Sequence, residues 1–228
     1  MPISLLELSA ELRNTIYEAV LLDPEPIRLE SKFYEQRAPG CRLLRVNRQI
    51  HREANATFYA QNEFDVSDSL LKNISFILNS MGRNVALIHS FRLEFPHCYR
   101  RQQGGKIIPE GDCTKILSIV RSKCINVRYF NFCLYHNVRV GHESISTFSI
   151  RRGISDRKHR DLCERLLEEH AEKFRTFHKV QKVVIEVVPH QHHHHFLEAI
   201  NQRGWALEYL NPGDVNALTP CRLPWIMK

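Results

Sequence analysis

The densest group of side chains able to hold a metal is His190, His192, His193, His194 and His195. Imidazole is a common transition-metal ligand, and on a helix His190 and His194 could reach one ion. A working metal centre also recruits a distant carboxylate or thiolate and a hydrogen-bonded outer shell. No such residue stands nearby, so the cluster reads as incidental metal affinity at an exposed helix start, with no metal site. Glu168, Glu169 and Glu172 are the nearest thing to paired carboxylates, but Arg165 and Lys173 lie at helical spacing from them. Pairs four residues apart account for them better than acid–base work. The seven cysteines (Cys41, Cys98, Cys113, Cys124, Cys133, Cys163 and Cys221) include no two that are three apart. Disulfide scaffolds and structural zinc sites need tighter pairing, so buried, reduced thiols inside a cell are expected. Gly104-Gly105-Lys106 is too short for a phosphate cradle, and neither a nucleophile elbow nor a helical zincin motif occurs. The expectation is a protein without a catalytic residue, cofactor or small-molecule substrate.

Arginines carry the remaining chemistry. Arg42, Arg45, Arg48, Gln49 and Arg52 share one face of an expected helix. They could pair with Glu7, Glu11 and Glu18 of the preceding helix, or form a docking strip for an acidic partner or for phosphate. A second basic run holds Arg151, Arg152, Arg157, Lys158 and Arg160. It resembles a nuclear address or a nucleic-acid contact, although aromatic stacking platforms are not interleaved with it. The net charge of +7 and a pI near 9.1 suit either kind of anionic partner.

These groups must be positioned by a folded body. Hydrophobic residues at 43% and charged residues at 25% are enough to offset the entropy of ordering the chain, which excludes a mainly disordered protein. No apolar run approaches the ~18–20 residues of a membrane-spanning helix. Glu7, Glu11 and Arg13 interrupt the N-terminal stretch, so a secretory signal is not expected. A cytoplasmic or nuclear protein without membrane contact follows.

Ser9 can cap a first helix in which Leu8, Leu12, Ile16, Ala19 and Val20 fall on one apolar face. Asp23-Pro24-Glu25-Pro26 stops it, and 27–30 reads as a short strand. A second helix is expected from Arg42 to Gln61, with Leu43, Val46, Ile50, Ala54 and Phe58 on its apolar face. Phe64-Asp65-Val66 reads as a strand, and helices at 70–81, 113–121 and 161–174 precede strands at 88–95, 127–134 and 180–188, which are dense in β-branched and aromatic residues. A last helix over 193–203 ends at Gly204, before an edge strand near 205–210. Helices alternating with strands predict an α/β fold with α+β as the alternative: a mixed, mostly parallel sheet in an irregular, solenoid-like arrangement. The stretches 97–111 and 136–160 read as long polar, basic loops, a length that signals either function or mobility. A single domain over 1–228 is expected, with 5–66 as its N-terminal segment and 67–228 as its α/β part.

A paired signature stands at the first two helices. Its first half is Leu8-Ser9-Ala10-Glu11-Leu12-Arg13-Asn14-Thr15-Ile16-Tyr17-Glu18-Ala19-Val20-Leu21. The second is Leu43-Leu44-Arg45-Val46-Asn47-Arg48-Gln49-Ile50-His51-Arg52-Glu53-Ala54, followed by Phe58-Tyr59 and Asn62-Glu63-Phe64. This resembles the F-box-like family abundant in filamentous fungi, with Ser9 where true F-boxes carry proline. The resemblance implies a substrate-recruiting subunit of a cullin–RING ubiquitin ligase, bound to a Skp-type adaptor and an unknown client. It places Leu8, Leu12, Ile16, Leu44 and Val46 against the adaptor, beside the partner-facing Arg45, Arg48 and Arg52. The alternative is a nucleic-acid-binding protein that uses the basic loops 97–111 and 136–160.

Overall fold

In a computed structural model, the described residues are 4–29, 39–66, 71–94, 99–101, 107–109, 112–133, 144–145, 156–187 and 194–209. Helices α1 (Ala10–Leu21) and α2 (Arg48–Gln61) are joined through strand β1 (Ile27–Arg28) and a 3-10 turn, Pro39–Arg45. Strand β2 (Glu63–Asp65), helix α3 (Leu71–Ser80) and the 3-10 turn Gly82–Leu87 lead to β3 (Ser90–Glu94). Next come β4 (Tyr99–Arg101), β5 (Ile107–Pro109), α4 (Asp112–Lys123), β6 (Tyr129–Cys133) and β7 (Ser144–Ile145). The chain continues as α5 (Asp156–Arg175), β8 (Lys182–Val187), α6 (His194–Gln202) and β9 (Ala206–Tyr209).

Six strands form one mixed, mostly parallel sheet in the order β1-β2-β3-β6-β8-β9, flanked by helices. Register places Phe64 beside Ile27 and Phe91, all parallel. The α/β expectation is therefore met, and its cause is visible in the strands. Phe64, Phe91, Phe130, Phe132 and Ile185 are all fully buried, as large apolar residues on strands covered by helices should be. The chain divides into two compact units, 1–94 with 111–131 and 173–183, and 95–110 with 132–172 and 184–228.

In the first unit, Phe58 and Tyr59 of α2 enclose Phe64, with ring centroids 5.9 and 5.7 Å from it. Phe130 packs between Phe174 and Phe177 at 5.5 and 5.1 Å. Asn62 joins the ends of both N-terminal helices. Its Nδ2 donates to the carbonyls of Leu21 and Phe58, each at 2.9 Å, and its Oδ1 accepts from the Asp23 N–H at 2.9 Å. This side chain satisfies backbone groups that a helix end leaves without partners. In the second unit, α6 packs on β9, which runs parallel to β8 with Val184 beside Ala206 and Val187 beside Tyr209.

Several boundaries differ from the sequence expectation. The helix expected from Arg42 starts at Arg48, because Asn47 caps it by accepting from the Ile50 N–H at 2.9 Å. Leu43 and Val46 consequently fall outside its apolar face. The stretches expected to be loops carry β4, β5 and β7, a three-stranded antiparallel sheet in the order β5-β4-β7. Residues 156–160 of the second stretch already belong to α5.

The F-box-like resemblance is overturned by this architecture. An F-box is all-helical, whereas here strand β1 lies between the two signature helices and pairs in a parallel sheet. The Skp-type adaptor, the client, the cullin–RING role and the filamentous-fungal family assignment fall with it.

Candidate functional site

The first helix turns a different face inward from the one its apolar residues mark. Ser9 caps α1 by accepting from the Leu12 N–H at 3.4 Å, as expected. The residues it buries are Arg13, Tyr17 and Leu21, spaced four apart. Burying an arginine and a tyrosine requires partners for their polar ends, and Glu53 of α2 supplies both. Arg13 Nε and Nη2 donate to the two Glu53 oxygens at 2.9 and 2.8 Å, a bidentate fork. Tyr17 Oη donates to Glu53 at 3.0 Å, and Gln49 Nε2 does so at 3.0 Å. Arg13 Nη1 also donates to the Leu8 carbonyl at 2.7 Å. Four donated hydrogen bonds, led by those from Arg13, hold the Glu53 carboxyl down at about 2. Arg13 is held above its ordinary value mainly by its bond to Glu53, and burial raises the Tyr17 phenol.

The opposite consequence is an uncovered apolar stripe. Leu12 is 54% exposed and Val20 50%, with Ile16 half-buried between them and Leu8 half-buried ahead of them. Val46, just before α2, is 62% exposed, and Leu44 is half-buried. Beside Val46 the arginines Arg42, Arg45, Arg48 and Arg52 are all exposed. None of the four makes an ion pair or side-chain hydrogen bond among the described residues. The pairing expected with α1 is not formed. Glu7 accepts from the Ser4 N–H in a capping box, and Glu18 accepts from Gln61 Nε2 at 3.1 Å. The structure thus gathers Arg45, Val46, Arg48 and Arg52 on one short stretch, while α1 touches the adjoining 3-10 turn.

Other candidate residues part company. The pairs expected among Arg165, Glu169 and Lys173 are not made; Glu168 is instead met by Arg203 Nη2 at 3.3 Å. Arg157 and Arg160 are exposed on the first turns of α5, while Arg151, Arg152 and the side chain of Lys158 lie outside the described residues. So do the side chains of His190, His192, His193, His194 and His195. Among the described residues, no three His, Cys, Asp or Glu side chains converge as a metal site would require. Cys124 and Cys133 are buried free thiols. Burial raises the Cys124 thiol to about 12, far from a reactive thiolate. The Cys133 thiol donates to Glu186 at 3.2 Å, both groups buried in the second unit. No described helix is long and apolar enough to cross a membrane.

Sequence reasoning also passed over His89, where β3 begins. Its carbonyl accepts from the N–H groups of Arg128 and Tyr129 at 2.8 and 3.0 Å. Burial lowers its imidazole from the ordinary 6.5, and the charges of Arg128 and Lys179 push the same way. The native chain therefore keeps His89 neutral, while the unfolded chain takes up a proton first as the pH falls. Stability should be full above about pH 6.5 and decline below it, levelling off beneath the native value. Thermal melts between about pH 7.5 and 5 should show this decline, and His89→Gln should flatten it.

Compared with known proteins, the chain matches no family model, no curated protein and no solved structure.

Proposed function

We propose that the chain is a non-catalytic docking protein that holds an acidic, amphipathic segment of another protein at Arg42, Arg45, Arg48 and Arg52. The observation carrying this reading is that four exposed arginines within eleven residues form no ion pair or side-chain hydrogen bond among the described residues. Like charges kept so close repel one another, and an incoming carboxylate row relieves that repulsion. Val46 at their centre and the half-covered Leu8, Leu12 and Ile16 favour an amphipathic peptide over bare phosphate, which has no apolar side to bury. The reading needs neither a helical adaptor box nor a ligase. Buried free thiols at Cys124 and Cys133 support a reducing compartment, the cytoplasm or the nucleus.

Fluorescence anisotropy with a labelled helical peptide of alternating glutamate and leucine faces tests it. Binding should weaken as salt rises from about 50 to 200 mM. It should fall about tenfold or more, some 1.4 kcal/mol, in R45E/R48E, and again in V46D. Equal binding by wild type and R45E/R48E would refute the reading, as would tight binding of a sequence-scrambled peptide of the same charge.

A further inference from the structure

A second basic surface, separate from the arginine strip, is built in the first unit where the central strands of the sheet begin. Neighbouring strands β3, β6 and β8 begin side by side there. Arg128 and Tyr129 donate to the His89 carbonyl, and Gln181 and Lys182 donate to the Arg128 carbonyl at 2.8 and 3.2 Å. Three connections therefore meet: the turn Gly82–Leu87 ahead of β3, the loop after α4, and the loop after α5. Side chains knit them together. Asn126 Nδ2 donates to the Ala86 carbonyl at 2.6 Å, Lys179 Nζ donates to Asn126 Oδ1, and Lys123 Nζ donates to Asn79 at 2.6 Å.

These connections and the element ends that flank them contain Arg83, Arg121, Lys123, Arg128, Lys179 and Lys182, and residues 79–91, 121–132 and 173–183 include no Asp or Glu. Lys123 and Lys179 bond to neutral amides and form no ion pair among the described residues. His89 sits among them, its imidazole lowered first by burial and then by the charges of Arg128 and Lys179. Tyr129 is 40% exposed, and Ile125, at 62%, is the most exposed apolar side chain of the loop before it. His178 is exposed between Phe177 and Lys179. Successive strand starts are about 4.8 Å apart, so the three span roughly 10 Å of cationic surface.

The geometry points to a binding surface for single-stranded nucleic acid, with phosphates along the cations and bases against Tyr129, His178 and Ile125. Cations that track a backbone, joined to flat or apolar side chains that receive base faces, are the general requirement for such a surface. An acidic protein would need no stacking partner, and an anionic membrane would favour several projecting apolar residues over one. The surface shares no residue with the arginine strip, so either proposal can fail alone.

The test is anisotropy of a fluorescein-labelled oligodeoxythymidine of about 15 nucleotides with the full chain. Affinity should fall steeply with salt, with a log–log slope of about −3 if four or five phosphates are neutralised. R128E/K179E/K182E should weaken binding at least about tenfold and flatten the slope to about −1. K179Q/K182Q should act in the same direction by a smaller factor. Both variants should melt close to wild type, because the Lys179–Asn126 bond they lose is exposed and the repulsion they relieve offsets it, which separates lost contact from lost folding. The inference fails if binding survives R128E/K179E/K182E unchanged but disappears in R45E/R48E. It also fails if phosphatidylserine vesicles bind at this surface and excess oligonucleotide does not compete.

Discussion

Phe64→Ala is expected to destabilise the chain by about 3–5 kcal/mol, the range for removing a fully buried aromatic. Phe64 has no exposed surface and lies in the middle of β2, with Ile27 and Phe91 as its strand neighbours. Its ring stacks on Tyr59 with planes 17° apart and meets Phe58 edge-on at 79°. Truncation removes both ring contacts and leaves a void that strands on either side cannot close without breaking their ladder. Such a loss is a large part of the stability of an ordinary domain. Urea unfolding of Phe64→Ala and Phe64→Leu should show a much smaller penalty for leucine, which keeps most of the volume. A loss below about 1 kcal/mol for alanine would mean that the aromatic cluster does not set the stability of this unit.

The second large effect concerns Glu53. Glu53→Ala should cost about 2–3 kcal/mol, because it strips the bidentate partner from Arg13 and the acceptor from Tyr17 while leaving both side chains in place. That figure lies below the range for a wholly enclosed pair, since the Glu53 side chain keeps 23% of its exposure. Double substitution of Arg13 and Glu53 by Met and Leu should recover much of the loss, because an apolar pair leaves no charge stranded. Acid should act like the single substitution. The carboxyl is held at about 2 in the native chain against 4.5 ordinarily, so its contribution is full above about pH 4.5 and drains away towards pH 2. Melts across that window should lose this slope in Glu53→Gln; an unchanged slope would show that another carboxylate is responsible.

The Arg13–Glu53 fork also explains where the sequence misleads. Strand positions were readable because phenylalanine and β-branched residues cluster at Phe91, Phe130 and Val183–Ile185, and such clusters are dictated locally. The inward face of α1 was not readable. Leu8, Leu12, Ile16 and Val20 form the more apolar stripe, yet the buried row is Arg13, Tyr17 and Leu21. What reverses the choice is a carboxylate some forty residues away, and no local periodicity carries that information. Asn47, by contrast, was a visible capping residue, and reading it would have moved the start of α2 to Arg48 and freed Val46. The strands at 99–101, 107–109 and 144–145 are too short for alternation to stand out. The cationic surface was hidden for another reason: its residues come from three stretches separated by 30 residues or more, and only strand order makes them neighbours.

Asn62 sets a limit on chemical ageing. Its amide nitrogen faces two carbonyl oxygens, so hydrolysis of that amide to a carboxylate would replace both donors with lone pairs aimed at lone pairs. Enclosure protects the group while the chain is folded, and every excursion to the open coil exposes it to water. A molecule damaged there could no longer close the clasp between its first two helices. Repeated unfolding would thus leave a lasting record, a fraction of chains that never regain the native state.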